Sequence, residues 1–418
     1  MSIPGSDTIR KAIEARMPAF LSDLETFVSI DSDTGNMAGS RKIADLLKPR
    51  IEAAGGSYEE RISPEPGGIH VIARFKGQGR KTCSIVVHTD TVFNTMGGAF
   101  PYRYDAAKGL AHGPGVGDCK ASAVMALQLA EVFHQLGHKP FKELIIYFDA
   151  EEEKFGSNVE RATAEELAGE SDYVLLADTG RPDYGVVTKR KTTGTYTFTI
   201  RGYGGHAGNA PHASANALLE ACRLAVKVAA LGSPLPEDPW NYTSEALAGK
   251  GVQDTGQFIP DNALNVAVLT SSNDKTNVIP SDAVLKVNLR CYEQDEHERI
   301  VAGMRALADH PATPWTTVAF TGSQTAKPME LTPEARKMID LYADIARREC
   351  GVNIVEWTAG GVTLANVMAQ ISPTMDSVGV DTDPMVEHSE REVIAPSIFV
   401  PRAIMMYHFI AEYDGQGH

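Results

Sequence analysis

Apolar residues recur along this chain at two spacings, and the switches between them mark out its elements. Helical spacing runs through an amphipathic opening from Ile9 to Ile30 and again from Gly39 to Ala54. Short β-rich apolar runs at His70 to Phe75 and Cys83 to His88 read as strands. A helix from Ala121 to Leu136, a strand from Glu143 to Phe148, a helix near Ala162 to Leu167 and a strand from Tyr173 to Ala177 follow. Such alternation predicts an α/β sheet with helices on its faces. From about Lys191 the texture changes: TGTYTFTIRG alternates with period two, then come a Gly-rich turn and a helix from Ala213 to Leu231. A strand from Ala283 to Leu289, a helix from Glu296 to Ala308 and a strand from Thr316 to Thr321 complete a β-α-β-β-α-β pattern, that of a ferredoxin-like α+β unit. After KPMELTPEA the helix-strand texture resumes at Ala335 to Cys350, Gly361 to Ala369 and Pro396 to Tyr413. The expected architecture is an α/β, mixed-sheet domain with helices on both faces, formed by residues 1–190 and 327–418, with an inserted α+β domain at 191–326. The Pro-rich stretch SPLPEDPW, Ser233 to Trp240, reads as a surface loop.

Composition narrows the partners. A chain of 418 residues with 43% hydrophobic content exceeds one ordinary core, in keeping with two domains. Its 54 acidic and 39 basic residues leave a net charge of -15, which repels a phosphate backbone and argues against nucleic acid. The five cysteines are scattered and form no Cys-x-x-Cys pair, which fits a reducing, cytoplasmic setting. The opening MSIPGSDTIRKAIEARMPAFL lacks a basic start followed by a long apolar run, and no stretch approaches the roughly 18 to 20 apolar residues of a membrane span. Neither export nor a membrane partner is expected.

Candidate chemistry sits where apolar runs stop. His88 ends the β-branched run in IVVHTDTV, with Asp90 two residues on to hold the ring's other nitrogen. Asp118 lies in the glycine-rich HGPGVGDCK, which lacks the Gly-Lys-Ser/Thr ending of a phosphate-binding loop; the adjacent Lys120 reads as solvated. Glu151, Glu152 and Glu153 close the strand LIIYFDA, and three adjoining carboxylates repel unless cations or protons compensate. Asp178 follows the strand in YVLLADTG, and His388 lies late, in MVEHSERE. Each alone is commonplace: a turn, a helix cap, an exposed histidine. Together, expected at strand ends, they are the donor set that two neighbouring divalent metals require for hydrolysis.

In this order the motifs resemble the co-catalytic zinc family of glutamate carboxypeptidases, aminoacylases, acetylornithine deacetylases and succinyl-diaminopimelate desuccinylases, over nearly the whole chain. HTD is similar to that family's first metal motif and GPGVGDCK to its second. The resemblance implies that His88 and Asp178 hold one metal, Glu153 and His388 the other, and Asp118 bridges both, with Asp90 orienting His88. The family usually has Asp-Glu-Glu where this chain has Glu151-Glu152-Glu153. Alignment on the following Phe, Lys and Gly-Ser makes Glu152 the general base and Glu153 the ligand; a one-residue shift, to Glu151 and Glu152, stays open. Two divalent ions are implied, zinc first, with manganese or cobalt admitted.

The insert resembles the family's lid or dimerisation domain, which implies a homodimer. GYGGHAGNAPHASANALLEA carries a histidine, His206, that in dimeric relatives reaches the partner's active site to steady an oxyanion. TNVIPSDAVLKVNLR is similar to the strand whose asparagine and arginine, here Asn277 and Arg290, hold a substrate carboxylate. AGGVTLANVMA resembles a glycine-rich segment beside the substrate, with Gly360 and Gly361; many relatives have an aspartate where Leu364 stands. The implied activity is cleavage of an amide bond in a small N-acyl amino acid or dipeptide-like substrate, of carboxypeptidase or deacylase type. The alternative is a hydrolytic deaminase or other specialised amidohydrolase acting on a small, even aromatic, amine or amide.

Overall fold

The computed structural model describes residues 4–64, 66–154, 157–232, 262–383 and 386–415; the stretch Ser233 to Trp240 lies outside them. The predicted opening helix is two, α1 (Ser6–Glu14) and α2 (Met17–Val28), because Pro18 sits at the start of the second, where its missing N–H costs nothing. Then come α3 (Met37–Ala53), β1 (Ser57–Ile62), β2 (Ile69–Lys76), β3 (Thr82–His88), β4 (Arg103–Asp105) and β5 (Leu110–His112). Next are α4 (Ala121–Gln135), β6 (Glu143–Asp149), α5 (Asn158–Glu170), β7 (Tyr173–Leu176) and β8 (Val186–Arg190). The insert holds β9 (Thr193–Arg201), β10 (Gly205–His206), α6 (Ala217–Ala229), β11 (Asn262–Thr270), β12 (Val278–Ile279), β13 (Asp282–Cys291), α7 (Gln294–Asp309) and β14 (Thr317–Ala326). The chain closes with α8 (Pro333–Ile345), β15 (Glu356–Ala359), α9 (Leu364–Met368), β16 (Thr374–Asp376), β17 (Val393–Ile394) and α10 (Phe399–Gly415).

Two compact units result: 1–188 with 331–357 and 363–418, and 189–330 with 358–362. The first is built on an eight-stranded sheet in the order β1-β2-β6-β3-β7-β16-β8-β15. It is mixed, with β3 parallel to β6 and β7 while β2 runs antiparallel to β6. Every residue of β3 is buried, as is all of β6 except Glu143, so both faces of these strands are covered and their sequences read as unbroken apolar runs. On one face Cys83, Ile85, Val87, Leu144, Ile146 and Phe148 join a core with α2, α4 and α10. The alternate residues face the other way. There lie α5 and α9, which contact β3 and β7 yet add nothing to that core. His88 shares this second face with Val86.

The second unit is a four-stranded antiparallel sheet, β11-β13-β9-β14, the strand order of a ferredoxin-like fold. Phe198, Ile200, Leu285 and Val287 point to one face, where Ala221 and Leu224 of α6 and Ile300 and Met304 of α7 cover them. The fold class expected from periodicity is therefore the one observed. Within this sheet the strand that reading did not locate is β11: it lies at the edge, none of its residues is fully buried, and NALNVAVLT shows no clean alternation. Among the described residues no helix is long and apolar enough to cross a membrane.

Candidate active site

The site in the first unit starts from the end of β3. His88 is 2% exposed, with Nδ1 3.3 Å from Asp90 Oδ1 and Nε2 2.8 Å from Asp118 Oδ1 and 3.3 Å from Asp178 Oδ1. Asp178 lies two residues beyond β7, the strand parallel to β3, so adjacent strand ends deliver the pair.

Asp118 and His388 do not follow strands, contrary to expectation. Asp118 sits in the turn Val116–Lys120 that leads into α4, its own backbone non-helical (φ -110°, ψ 87°), with a cis peptide bond to Cys119. Its loop is held by Glu392, 2% exposed, whose carboxylate accepts N–H bonds from Gly115 (3.1 Å), Gly117 (2.8 Å) and Asp118 (3.0 Å). Glu392 is placed by β17, which pairs with β5 immediately after it. His388 lies in the turn before β17, in a left-handed conformation (φ 55°) that a side chain seldom adopts. Its Nε2 is 3.0 Å from Asp118 Oδ2 and 3.1 Å from Glu153 Oε2. The two oxygens of Asp118 thus face different imidazoles.

The three glutamates after β6 diverge. Glu151 turns into the core, where His70, Ser63 and Ser157 hold it. Glu152 lines a cavity with His88, Asp178, Leu176 and Leu364, and Glu153 joins His388. Asp90 has partners besides His88: its Oδ1 accepts the N–H of Glu152 and its Oδ2 that of Glu153, both at 3.2 Å. Thr34 Oγ1 donates to the same carboxylate at 2.7 Å.

Electrostatics follow from crowding. Burial drives Asp118 upward, but hydrogen bonds from His388 and His88 outweigh it and hold the carboxyl below its ordinary range. Burial, then the charge of Asp178, pushes Glu152 well up; burial and Asp118 raise Glu153 to about 7. His388 is lifted to about 11 by its bonds to Asp118 and Glu153. Lys120, expected to be solvated, is fully buried, and its Nζ donates to the Ile30 carbonyl at 2.8 Å. Burial brings it down to about 8 against the pull of Asp31, Glu392 and Asp90.

The other candidates belong to the second unit. His206 is exposed on β10, its Nδ1 accepting N–H bonds from Gly208 and Asn209 at 3.2 Å. β10 pairs with β12, and the Asn277 carbonyl accepts the N–H of Ala207 at 3.0 Å, so His206 and exposed Asn277 are neighbours. Arg290 is half-buried on β13, with Nε 3.1 Å from Asn288 Oδ1 and Nη1 3.4 Å from the Gly360 carbonyl. A Cβ added at Gly360 or Gly361 would meet nothing within 4 Å and neither has a positive φ, so nothing in the described chain demands glycine there. The positioning residues His70, Ser63 and Glu392 escaped the sequence reading. Glu392 stands four residues after His388, but in a run as acidic as any solvated turn.

The family profile described as Peptidase family M20/M25/M40 matches residues 85–412. Carboxypeptidase G2 of Pseudomonas sp. (strain RS-16) is 22% identical over 402 residues, covering 95% of this chain and 89% of that protein. A succinyl-diaminopimelate desuccinylase of Paracoccus denitrificans is 25% identical over 343 residues, 80% of this chain and 83% of that protein. In fold the chain is similar to aminopeptidase PepT from Bacillus cereus, with a TM-score of 0.71 at 17% identity, covering 96% of this chain and 99% of that one. The M20 family metallo-carboxypeptidase Sso-CP2 from Sulfolobus solfataricus aligns at TM-score 0.66 and 14% identity, over 95% and 99% of the two chains. With the family profile spanning most of the sequence, the chain belongs to peptidase family M20/M25/M40, metal-dependent enzymes of the metallopeptidase and amidohydrolase type.

Proposed function

We propose that this enzyme holds two divalent ions in the first unit and hydrolyses the amide bond of a small N-acyl amino acid or dipeptide-like substrate, in the manner of a carboxypeptidase or deacylase. The observation that carries the reading is Asp118: Oδ1 faces His88 and Oδ2 faces His388, while Asp178 and Glu153 stand by the first and second imidazole respectively. Each set offers one nitrogen, one terminal carboxylate and half of a shared one, a donor chemistry that suits zinc and admits manganese or cobalt. Carboxyls crowded enough to push Glu152 and Glu153 upward are a place where cations relieve repulsion. The chemistry that such ions supply when bound is Lewis acidity toward an amide carbonyl and toward the attacking water.

The protein's own groups do the rest. Glu152, beside His88 and Asp178 with its proton affinity raised, takes the water's proton and returns it to the departing amine. Asp90 fixes His88 and, through the Glu152 and Glu153 amides, the turn that presents the base. Capture of Glu151 by His70, Ser63 and Ser157 supports Glu152 and Glu153, rather than Glu151 and Glu152, as base and ligand. For the second unit the family resemblance supports Arg290 and Asn277 as holders of a substrate carboxylate and backbone approach at Gly360 and Gly361. It also supports a homodimer through the insert, in which His206 serves the partner's oxyanion. The charge and cysteine pattern support a cytoplasmic enzyme.

Leu364 favours a second reading. It is 1% exposed, stands where many relatives have an aspartate, and lines the cavity beside Glu152, giving the site an apolar wall suited to a hydrolytic deaminase or specialised amidohydrolase. A screen of N-acyl amino acids, dipeptides and aminoaromatics, scoring amine and ammonia separately, decides between them. Amine release from N-acyl amino acids or dipeptides is the expected result; ammonia release from aminoaromatics alone would establish the second reading.

A further inference from the structure

Behind the acidic turn lies a buried polar array that the proposed reaction does not use. His70, 0% exposed on β2, sits between two carboxylates, with Nδ1 2.8 Å from Asp149 Oδ1 and Nε2 3.1 Å from Glu151 Oε2. Tyr147 Oη lies 2.9 Å from His70 Nδ1. Ser63 Oγ donates to Glu151 Oε2 at 2.5 Å, and Ser157 Oγ donates to the same oxygen. Asp149 Oδ1 accepts the N–H of Ala150 at 2.6 Å and of Glu151 at 3.1 Å. Burial alone would lower His70, yet hydrogen bonds with Asp149 and Glu151 raise it to about 9. Burying two acids and an imidazole together is costlier than filling the space with apolar side chains, which calls for a reason.

The reason lies in what the array surrounds. It grips 149–151, the end of β6 and the first step of the turn that carries Glu152 and Glu153. From the other side Asp90 holds the amides of those two residues. A run of three glutamates has an inherent ambiguity, since any two adjacent members supply a base and a ligand. We propose that His70, with Ser63 and Ser157, is a clasp that draws Glu151 into the core and thereby selects Glu152 and Glu153 as the pair facing the cluster. This also accounts for glutamate where relatives have aspartate: the additional methylene extends the carboxylate by about 1.5 Å, as far as the three donors. His70 and Glu151 are positioning residues, and the inference rests on Glu152 being the base.

The test compares His70→Asn, Glu151→Gln and Glu151→Asp in the metal-loaded enzyme by kcat, KM, metal content and Tm. A turn misplaced by about 1 Å is expected to lower kcat on the order of 10- to 100-fold in His70→Asn and Glu151→Asp. KM stays within about twofold of wild type, while metal is held more weakly, because Glu153 rides on the same turn. Glu151→Gln, which keeps the length and one acceptor oxygen, is expected to recover most of the kcat that Glu151→Asp loses. A His70→Asn enzyme that melts lower but turns over at the wild-type rate overturns the clasp, and should that variant not fold, Glu151→Asp at wild-type kcat does so equally. An active Glu152→Gln would instead remove the base on which the inference rests, a distinguishable failure.

Discussion

Glu152→Gln is expected to lower kcat by about 10²- to 10⁴-fold, the range a positioned general base contributes, with KM nearly unchanged. Glutamine has the same shape and keeps an oxygen in the cavity beside His88 and Asp178, but it cannot take a proton. Metal content should match wild type, because the groups facing the imidazoles are Asp118, Asp178 and Glu153. Steady-state kinetics beside elemental analysis of the same preparation checks both parts. Turnover near wild type would take the base role away from Glu152, and loss of metal would make it a ligand.

Asp118→Ala strikes both halves of the cluster at once. Each imidazole loses the carboxylate oxygen it faces at 2.8 or 3.0 Å, so metal content should fall and turnover should drop by at least about 10³-fold, the worth of several kcal/mol of Lewis-acid stabilisation. Stability should respond differently. The contacts with His88 and His388 that hold Asp118 ionised are lost, so the Tm in chelator should fall modestly, and added metal should raise it less than in wild type. Thermal melts with and without metal read this directly; a variant that unfolds in chelator while wild type does not would make Asp118 a structural residue first.

What could be read from the sequence depended on whether a feature expressed itself locally. β2, β3, β6 and β7 were legible because strands covered on both faces are continuous apolar runs. The edge strand β1, SYEERI, and the short strands β4 and β5 carry no such signal, since pairing rather than burial defines them, and β16, though buried, is too short at three residues to show a run. His88 and Asp178 announced themselves where apolar runs end. Asp118 and His388 were found by motif, but their settings were misread: one is presented by a loop that Glu392 holds from 274 residues away, the other by a left-handed turn. Lys120 looked solvated because a charge next to glycines usually is; only the fold brings the Ile30 carbonyl to its ammonium. His70 could not be read at all, because a histidine opening an apolar strand gives no hint of the acids that flank it 79 and 81 residues later.

Elemental analysis of the purified protein, after loading with zinc, manganese or cobalt and removal of free ions, probes the shared-carboxylate cluster most directly. Two ions per chain are expected, with amide hydrolysis abolished by chelation and restored by adding metal back. One ion per chain, or hydrolysis that persists when none is bound, would contradict the paired site built around Asp118.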